Sequence, residues 1–282
     1  MVKRKVILFG SSGHLGSYIN KTLTKNNFVV KTPSRIEVGE ILNNKYKKEF
    51  FEDSLVINTV AIVGKENSNS CLIGDLKLIN EELPKKLSEG VNLYDSKLLH
   101  ISSNSVFDNS NNQVRCDKDN PSSKTNYGIS KINAEINIKA TLDIEKYIIL
   151  RTPQHYSNNL DNPRNLLYGI YKQLKKNKHI KITRNEIFSI ASCQRISLLI
   201  VKLIEKDFYG LYHASELKEY NWFEIAKILS KKMGLKWRES ISNIYNDKLQ
   251  INNTLYPSND TILESDILKK DFLQFNLLDQ RI

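Results

Sequence analysis

The stretch that decides the fold is Val6-Ile7-Leu8-Phe9-Gly10-Ser11-Ser12-Gly13-His14-Leu15-Gly16, near the beginning of the sequence. Its first four residues are a continuous apolar run, as expected of a parallel strand that is buried on both faces. After the glycines, Leu15, Ile19 and Leu23 recur at four-residue spacing, which predicts an amphipathic helix. The stretch therefore predicts a strand, a glycine-rich turn and a helix in direct succession.

The glycines of this turn have a spacing that suits phosphate binding. Glycine permits a tight turn and lets the backbone approach a pyrophosphate, while the amino end of the helix supplies amide donors and a positive dipole. Glycine-rich turns also join many strands to helices without a ligand, so it is the position in the first strand–helix unit that favours a dinucleotide. The residues that we expect to bind it here are Gly10, Ser12, Gly13, His14, Leu15 and Gly16.

Strands and helices alternate along the chain as far as residue 151. This alternation predicts an α/β fold with a Rossmann-type doubly wound parallel sheet and right-handed crossovers. Residues 153–163 are rich in asparagine and predict a loop. We therefore expect a NAD(P)-binding domain over 1–155 and a smaller C-terminal substrate-binding region over 156–282, from which the chain can cross back to the sheet. Strands are predicted at 28–31, 54–62, 97–102, 147–151 and 180–183, and helices at 79–88, 130–140, 165–176, 194–206 and 222–233.

The end of the second predicted strand bears on the choice of dinucleotide. An Asp or Glu at that point usually binds the unphosphorylated ribose of NADH. The segment reads Lys31-Thr32-Pro33-Ser34-Arg35, without a carboxylate, and Ser34 with Arg35 can hold a 2′-phosphate. We therefore expect NADPH, with NADH as the alternative in which Arg35 is an ordinary solvated side chain.

Tyr127 and Lys131 form a second pattern with chemical meaning. Residues four apart share one face of a helix, and a lysine ammonium beside a phenol lowers the phenol pKa, which is ordinarily near ~10. Such a tyrosine can exchange a proton with a carbonyl or alcohol oxygen. The same spacing occurs twice more in one amphipathic helix, where we expect only a structural use: Tyr168 with Lys172, and Tyr171 with Lys175.

A predicted strand that ends in hydroxyl groups singles out Tyr127. Residues 98–107 read Leu-Leu-His-Ile-Ser-Ser-Asn-Ser-Val-Phe, and ligands of open α/β sheets lie at the carboxyl ends of the strands. Ser103 can hydrogen-bond a reacting carbonyl oxygen there. Any one of these serines is also suited to a turn or a cap, but the combination of Ser103, Tyr127 and Lys131 indicates hydride-transfer chemistry.

With these motifs the chain resembles the extended short-chain dehydrogenases/reductases, and within them the dTDP-4-dehydrorhamnose reductase family. The resemblance covers most of the chain. Beside the glycine turn it rests on Asn58-Thr59-Val60-Ala61, Ile79-Asn80, Ser102-Ser103-Asn104-Ser105-Val106-Phe107-Asp108, the block from Pro121 through Tyr127, Gly128, Ser130 and Lys131 to Glu135, and Gly210-Leu211-Tyr212-His213 with Asn221-Trp222.

The resemblance implies roles for particular residues. The catalytic trio would be Ser103, Tyr127 and Lys131, and Lys131 would also hold the nicotinamide ribose. The cofactor cleft would be lined by Asn58, Thr59, Val60, Ala61 and the stretch from Arg151 to Pro153. The substrate would be bound by Ser103, Asn104, Ser105, Gln154 and Trp222.

Several positions depart from the family pattern. The family aspartate after the catalytic hydroxyl is Asn104, the next tyrosine is Ser105, and an aromatic residue after the Arg-Thr motif is Gln154. A Gly-Ser-Pro-Thr turn of the family reads Phe188-Ser189-Ile190-Ala191 here. Most of these positions are expected to border the substrate pocket, so the sequence keeps the proton-transfer residues and leaves the identity of the substrate open.

The leading hypothesis is therefore an enzyme, a NADPH-dependent reductase of a nucleotide-linked 4-keto-6-deoxy sugar with Tyr127 as proton donor. The resemblance implies a place in dTDP-rhamnose and polysaccharide biosynthesis. Two alternatives stay open: an epimerase or dehydratase of the same superfamily, and a non-catalytic nucleotide-binding subunit that regulates a partner enzyme. The expected partner is a nucleotide-sugar substrate, and the resemblance is compatible with a homodimer.

Composition argues against several other classes. The 282-residue chain has a formal net charge of +11, but its lysines are spread along the chain, so we expect no nucleic-acid partner and only a field that favours anionic ligands. No apolar run reaches the roughly 18 residues of a membrane span, so no membrane partner is expected. The three cysteines and five histidines are scattered, which predicts no disulfide framework, no metal site and a cytoplasmic location. Each histidine is interpreted as a packing or surface residue.

Overall fold

The computed structural model describes residues 4–63, 70–108, 115–176, 179–183, 186–216, 219–236, 241–244 and 250–251. They fall into two compact units, each assembled from three stretches of sequence. Taken over its described residues, the first unit comprises Met1–Asp108, Lys118–Thr152 and Cys193–Tyr212, and the second comprises Asn109–Asp117, Pro153–Ser192 and His213–Ile282. The boundary near residue 155 stays a prediction, and residues 252–282 of the expected C-terminal region lie outside the described residues.

Six of the described strands match the predicted ones, although the strand predicted at 54–62 ends at Asn58, and the other described strands were not predicted. They are β1 (Lys5–Phe9), β2 (Val29–Lys31), β3 (Ser54–Asn58), β4 (Lys97–Ser103), β5 (Tyr147–Thr152), β6 (Gln154–Tyr156), β7 (Ile180–Thr183), β8 (Glu186–Ile187), β9 (Ile190–Ser192), β10 (Gly210–His213), β11 (Ile241–Ile244) and β12 (Gln250–Ile251).

The helices are α1 (His14–Lys25), α2 (Arg35–Leu42), α3 (Lys48–Phe51), α4 (Ser70–Leu76), α5 (Leu83–Leu93), α6 (Asn126–Thr141), α7 (Tyr168–Lys175), α8 (Cys193–Glu205) and α9 (Trp222–Lys232). A wide π-helical turn, Lys77–Glu82, joins α4 to α5, and short 3-10 turns lie at Asn104–Val106 and Ile144–Lys146.

The first unit is organised around a sheet whose described strands, six in number, have the order β10-β5-β4-β3-β1-β2. The pairs β1–β2, β1–β3, β3–β4 and β4–β5 are parallel, which confirms the predicted doubly wound parallel sheet. From β1 the chain moves outward to β2 and then returns to place β3 on the other side. In such sheets the ligand crevice lies outside the carboxyl ends of the strands where the order reverses, here β1 and β3.

Apolar side chains on the strands and on the helices packed against them form the core of the first unit. Val6 to Phe9 of β1 are fully buried, as expected of a central parallel strand. The core cluster also contains Phe50 and Phe51 from α3 and Ile149 from β5. On α1, the predicted apolar face is buried and this helix packs against α8.

The second unit has a core of its own. Tyr156, Leu174, Phe188, Phe223 and Leu229 belong to its buried cluster. Three strand pairs, β6–β9, β7–β11 and β8–β12, are parallel. Because the predicted helices at 165–176 and 222–233 appear here as α7 and α9, the periodicity of this region was sufficient to predict them.

Side chains cap the amino ends of α6 and α2. Thr125 Oγ1 accepts a hydrogen bond from Gly128 N at 3.0 Å, so α6 begins at Asn126, earlier than the predicted residue 130. At α2, which the apolar periodicity did not predict, Ser34 Oγ accepts from Glu37 N and Glu37 Oε2 accepts from Ser34 N at 2.6 Å. This reciprocal pair is a capping box.

Candidate active site

The glycine turn joins β1 to α1 with very little space between them. Gly10 has a φ of +84°, a conformation that favours glycine. Gly16 lies so close to the Gly10 carbonyl that an added Cβ would collide with that backbone oxygen. These two contacts explain why glycine is required at both ends of the turn.

The amino end of α1 has the properties of an anion site. Gly13 caps the helix with extended backbone and no side-chain hydrogen bond, and the first turn carries no acidic residue. Ser12 is exposed, whereas His14 and Leu15 are buried, and His14 lies 3.7 Å from Cys193 Sγ. Because a helix amino end presents amide donors and a positive dipole, this turn fits the pyrophosphate of a dinucleotide.

The end of β3 lies beside the glycine turn. Thr59 Oγ1 donates to Phe9 O at 2.8 Å, and Thr59 N donates to the same oxygen at 3.0 Å. Val60 follows with a partly exposed side chain and Ala61 with an exposed one. Asn58 differs from them, since its side chain is completely buried and accepts from Val60 N through Oδ1 at 3.0 Å.

A carboxylate that the sequence analysis did not consider stands near the end of β2. Ser34 and Arg35 are both exposed, as a cofactor contact requires. The Ser34 hydroxyl takes part in the α2 cap, however, and Glu37 is fixed beside it by the same cap. The hydrogen bond from the Ser34 backbone lowers the pKa of Glu37, so this position carries a negative charge as well as the positive charge of Arg35.

The predicted catalytic residues come together in the first unit at the carboxyl end of β4. Ser103, the last residue of β4, hydrogen-bonds the Tyr127 side chain on the first turn of α6. Ser103 Oγ also accepts from Ser105 N at 3.1 Å and donates to Asn104 Oδ1 at 3.3 Å. Gly128 has no room for a Cβ because Ser105 O and the Ser123 side chain lie against it, which holds α6 close to this turn.

Lys131 lies one helical turn beyond Tyr127 and is almost completely buried. Its Nζ donates to Ile101 O at 2.7 Å and lies 3.1 Å from His100 Nε2. The other ring nitrogen of His100, Nδ1, lies 3.2 Å from Asn58 Nδ2. Asn58 and His100 are opposite each other on β3 and β4, which explains how two residues far apart in sequence meet.

Burial shifts the pKa values of these groups. It lowers the pKa of Lys131 to about 8, an effect that the negative charge of Glu135 opposes. Burial also raises the pKa of the Tyr127 phenol, against the lowering effect of the Ser103 hydrogen bond, and holds the pKa of His100 well below its ordinary value. At neutral pH the site therefore holds a protonated phenol and a neutral imidazole.

A buried ion pair is hydrogen-bonded to the end of β4. Arg151 Nε and Nη2 donate to the two carboxylate oxygens of Glu135 at 2.9 and 2.7 Å. Ser102 Oγ donates to Glu135 Oε1 at 2.5 Å, and the Arg151 guanidinium stacks over the Phe107 ring at 5.0 Å. This network ties α6 and β5 to the residue that precedes Ser103.

The cofactor-cleft candidate Pro153 and the substrate-site candidates Gln154 and Trp222 lie in the second unit. Pro153 is buried, Gln154 is exposed at the start of β6, and Trp222 begins α9 with its ring 4.6 Å from that of Phe188. Asn104 and Ser105 lie beside Ser103 in the first unit. A common substrate site for these two groups stays a prediction.

The other two Tyr/Lys pairs with the same spacing have a different environment. Lys172 lies over the Tyr168 ring at 5.5 Å, and exposed Lys175 donates to Tyr171 Oη at 3.2 Å. Neither pair has a buried lysine like Lys131.

In the described part of the chain, no group of three or more potential ligands is arranged to hold a metal ion, and no helix there is long and apolar enough to cross a membrane.

Comparison with known proteins gives a consistent set of relatives. A family model described as RmlD substrate binding domain matches residues 4–270. The spore coat polysaccharide biosynthesis protein SpsK of Bacillus subtilis (strain 168) is 22% identical over 244 residues, which cover 82% of this chain and 80% of that protein.

Two solved structures illustrate the likeness in fold. The dTDP-4-dehydrorhamnose reductase of Bacillus anthracis str. Ames, solved in complex with NADP, superposes with a TM-score of 0.79 at 20% identity, over 97% of this chain and 100% of that one. The Bordetella bronchiseptica enzyme WbmG, solved with NAD and UDP, gives a TM-score of 0.72 at 14% identity, over 92% of this chain and 87% of that one.

Proposed function

This chain belongs to the family described as RmlD substrate binding domain, among the extended short-chain dehydrogenases/reductases, and on that premise we propose that it reduces a nucleotide-linked 4-keto-6-deoxy sugar with NADPH. The observation that carries the proposal is the meeting of Ser103, Tyr127 and Lys131 at the carboxyl end of β4. The product would be a deoxysugar donor for polysaccharide assembly, made in the cytoplasm.

Tyr127 is the proton donor of the proposed reaction. Its phenol pKa is raised, so it carries its proton at neutral pH and has one to give to the oxygen of a ketone as that oxygen becomes an alkoxide. Ser103, which already hydrogen-bonds Tyr127, is placed to orient the same oxygen. Lys131 lies behind Tyr127 and takes part in returning a proton to it.

A nicotinamide cofactor suits the residues at the ends of β1 and β3. The uncapped amino end of α1 and the close-packed glycines fit the pyrophosphate, and Val60 and Ala61 border the same sheet edge. When bound, the reduced nicotinamide supplies the hydride. Arg35 would hold the 2′-phosphate of NADPH, and the related Bacillus anthracis structure was solved with NADP.

The substrate class rests on the relatives and on the polar residues near Ser103. SpsK is named for polysaccharide biosynthesis, and WbmG was solved with UDP. Asn104 and Ser105 would contact the sugar, and Gln154 and Trp222 would contribute from the second unit. Asn104 is a neutral amide where the family has an aspartate, so we expect a sugar whose hydroxyl pattern differs from that of 4-dehydrorhamnose.

A second candidate is an epimerase or dehydratase of the same superfamily. The Glu37 carboxylate at the end of β2 favours it, because a carboxylate in that region binds the 2′-hydroxyl of NAD. Such an enzyme would keep its cofactor and would consume no NADPH overall.

The experiment is a cofactor-consumption assay on the full chain. Purified protein is mixed with NADPH or NADH and a panel of dTDP- and UDP-linked 4-keto-6-deoxy sugars, and products are identified by mass spectrometry. We expect reduction of at least one keto sugar, lost in Tyr127→Phe and retained in the matched control Tyr171→Phe. Isomerised or dehydrated product without NADPH consumption would favour the second candidate, and cofactor binding without any turnover would favour a regulatory subunit.

A further inference from the structure

The side chain of Asn58 has only one orientation that satisfies its neighbours. Its Oδ1 accepts from Val60 N at 3.0 Å. If the amide were turned over, its NH2 group would face that backbone N–H, and two donors would meet in a fully buried site. The orientation of Asn58 is therefore set by a backbone donor, and its Nδ2 must point toward His100.

The orientation of Asn58 determines which nitrogen of His100 carries the proton. Asn58 Nδ2 is a donor, so His100 Nδ1, at 3.2 Å, must be the acceptor. His100 is completely buried, and the cost of burying a charge keeps its ring neutral. A neutral imidazole with a bare Nδ1 carries its proton on Nε2.

That proton points at Lys131. His100 Nε2 lies 3.1 Å from Lys131 Nζ, and a lysine ammonium has three donors and no acceptor. Only a neutral amine can accept from the Nε2–H group while donating to Ile101 O at 2.7 Å. The Val60 backbone N–H, just after β3, thus influences the protonation of Lys131 through the side chains of Asn58 and His100.

We propose that His100, held in one tautomer by Asn58, is a positioning residue that donates its Nε2–H to Lys131 Nζ and so favours the neutral amine of Lys131 over its ammonium in the cofactor-free protein. The titratable groups that act on Lys131 are Glu135 on α6 and His100 on β4, and Arg151 on β5 neutralises Glu135. Tyr127 lies one helical turn before Lys131 on α6. The inference rests on the proposed function in one respect: an amine whose neutral form is favoured in this way is suited to pass on and take back the proton that Tyr127 exchanges with a substrate.

The first test reads the tautomer directly in the cofactor-free full chain. Protein labelled with 15N at histidine is studied by long-range 1H–15N correlation, and the His100 signals are assigned by their loss in His100→Gln. We expect a bare Nδ1 and a protonated Nε2 that do not titrate near the ordinary histidine pKa of about 6.5. A protonated Nδ1, or a ring that titrates there, would overturn the proposal.

The second test reverses the tautomer by one substitution. In Asn58→Asp the carboxylate facing Nδ1 can only accept, so we expect the ring proton to move to Nδ1 and Nε2 to become an acceptor for the Lys131 ammonium. The matched control is Asn80→Asp, the same change at a buried asparagine that bonds Ile62 and Ser130 and should leave the His100 pattern unchanged. An unchanged His100 pattern in folded Asn58→Asp would contradict the proposal.

The third test follows the proton affinity of Lys131 by its side-chain NMR shifts. Asn58→Asp should raise that affinity at least about tenfold, since it adds a charge-assisted acceptor and removes the opposing N–H. His100→Gln, whose amide offers the same acceptor to Asn58 and the same donor to Lys131, should stay within about threefold of the wild type. An equal shift in the two variants would overturn the proposal. None of these readings needs cofactor or substrate, so failure of the proposed reductase activity would leave them intact.

Discussion

Arg151 and Glu135 form a bidentate ion pair in which the two side chains are only 2% and 3% exposed. Breaking such a pair leaves one charge buried without its partner, which costs about 3–5 kcal/mol. We expect Arg151→Met and Glu135→Leu each to lose stability of that order in urea unfolding. The double variant should be markedly more stable than the sum of the two losses implies, because no unpaired charge is left. Additive losses would show that the two side chains act independently.

Gly128 is expected to tolerate no side chain. A Cβ at this position would meet Ser105 O and the Ser123 side chain, and the backbone oxygen cannot turn away. We expect Gly128→Ala to lose about 1–3 kcal/mol of stability, as an overpacked core site does.

The matched control is Gly39→Ala in α2, where an added Cβ meets nothing within 4 Å. Alanine is the better helix former, so this variant should gain roughly 0.5–1 kcal/mol. Thermal and urea unfolding of both proteins, measured together, would show whether crowding or helix propensity determines the two outcomes. Equal effects in the two variants would contradict the crowding argument.

Arg35 should determine the preference for the phosphorylated cofactor. If it binds a 2′-phosphate, Arg35→Ala loses a charge-assisted contact, and the KM for NADPH should rise about tenfold or more while that for NADH stays the same. The control is Lys139→Ala, which removes the same charge near the far end of α6. Glu37→Gln tests the opposite charge at this site and should weaken NADH binding only. A parallel loss for both cofactors in Arg35→Ala would argue that the residue does not distinguish them.

Lys131 should make stability depend on pH in the alkaline range. Its pKa is about 8 in the folded protein and 10.5 as the ordinary value, so the unfolded chain binds more protons between these limits. Stability should therefore rise with pH through this window, by roughly 3 kcal/mol at most at about 1.4 kcal/mol per pKa unit. Urea unfolding at several pH values would show the rise in the wild type and a weaker one in Lys131→Met. The same slope in both proteins would exclude Lys131 as its source.

The pattern of residues was sufficient to predict those strands and helices that depend mainly on local sequence. The apolar run before Gly10 and the spacing of Leu15, Ile19 and Leu23 predicted β1 and α1, and both are present. The Ser34/Glu37 cap of α2 is also a local signature, a serine followed three residues later by a glutamate, and it was overlooked. The expectation that no carboxylate lies near the end of β2 rested on residues 31–35 only, and Glu37 lies just beyond them.

His100 was interpreted as a packing residue because its partners cannot be read from its neighbours in sequence. It meets Asn58 through the register of β3 with β4, and Lys131 through the docking of α6 on the sheet. Both depend on tertiary structure that a single sequence does not specify. A histidine inside an otherwise apolar strand, just before the serines, was the one available signal, since a buried polar side chain requires partners.

The packing of α1 against α8 also constrains how the protein is made. When the ribosome has released residues up to Thr152, five strands of the main sheet exist, but α8 and β10 have not been synthesised. The part of α1 that packs against α8 is then uncovered while Pro153–Ser192 is synthesised. Completion of the nucleotide-binding sheet is therefore a late event of translation, and the nascent chain passes through a stage in which chaperones have an exposed helix to protect.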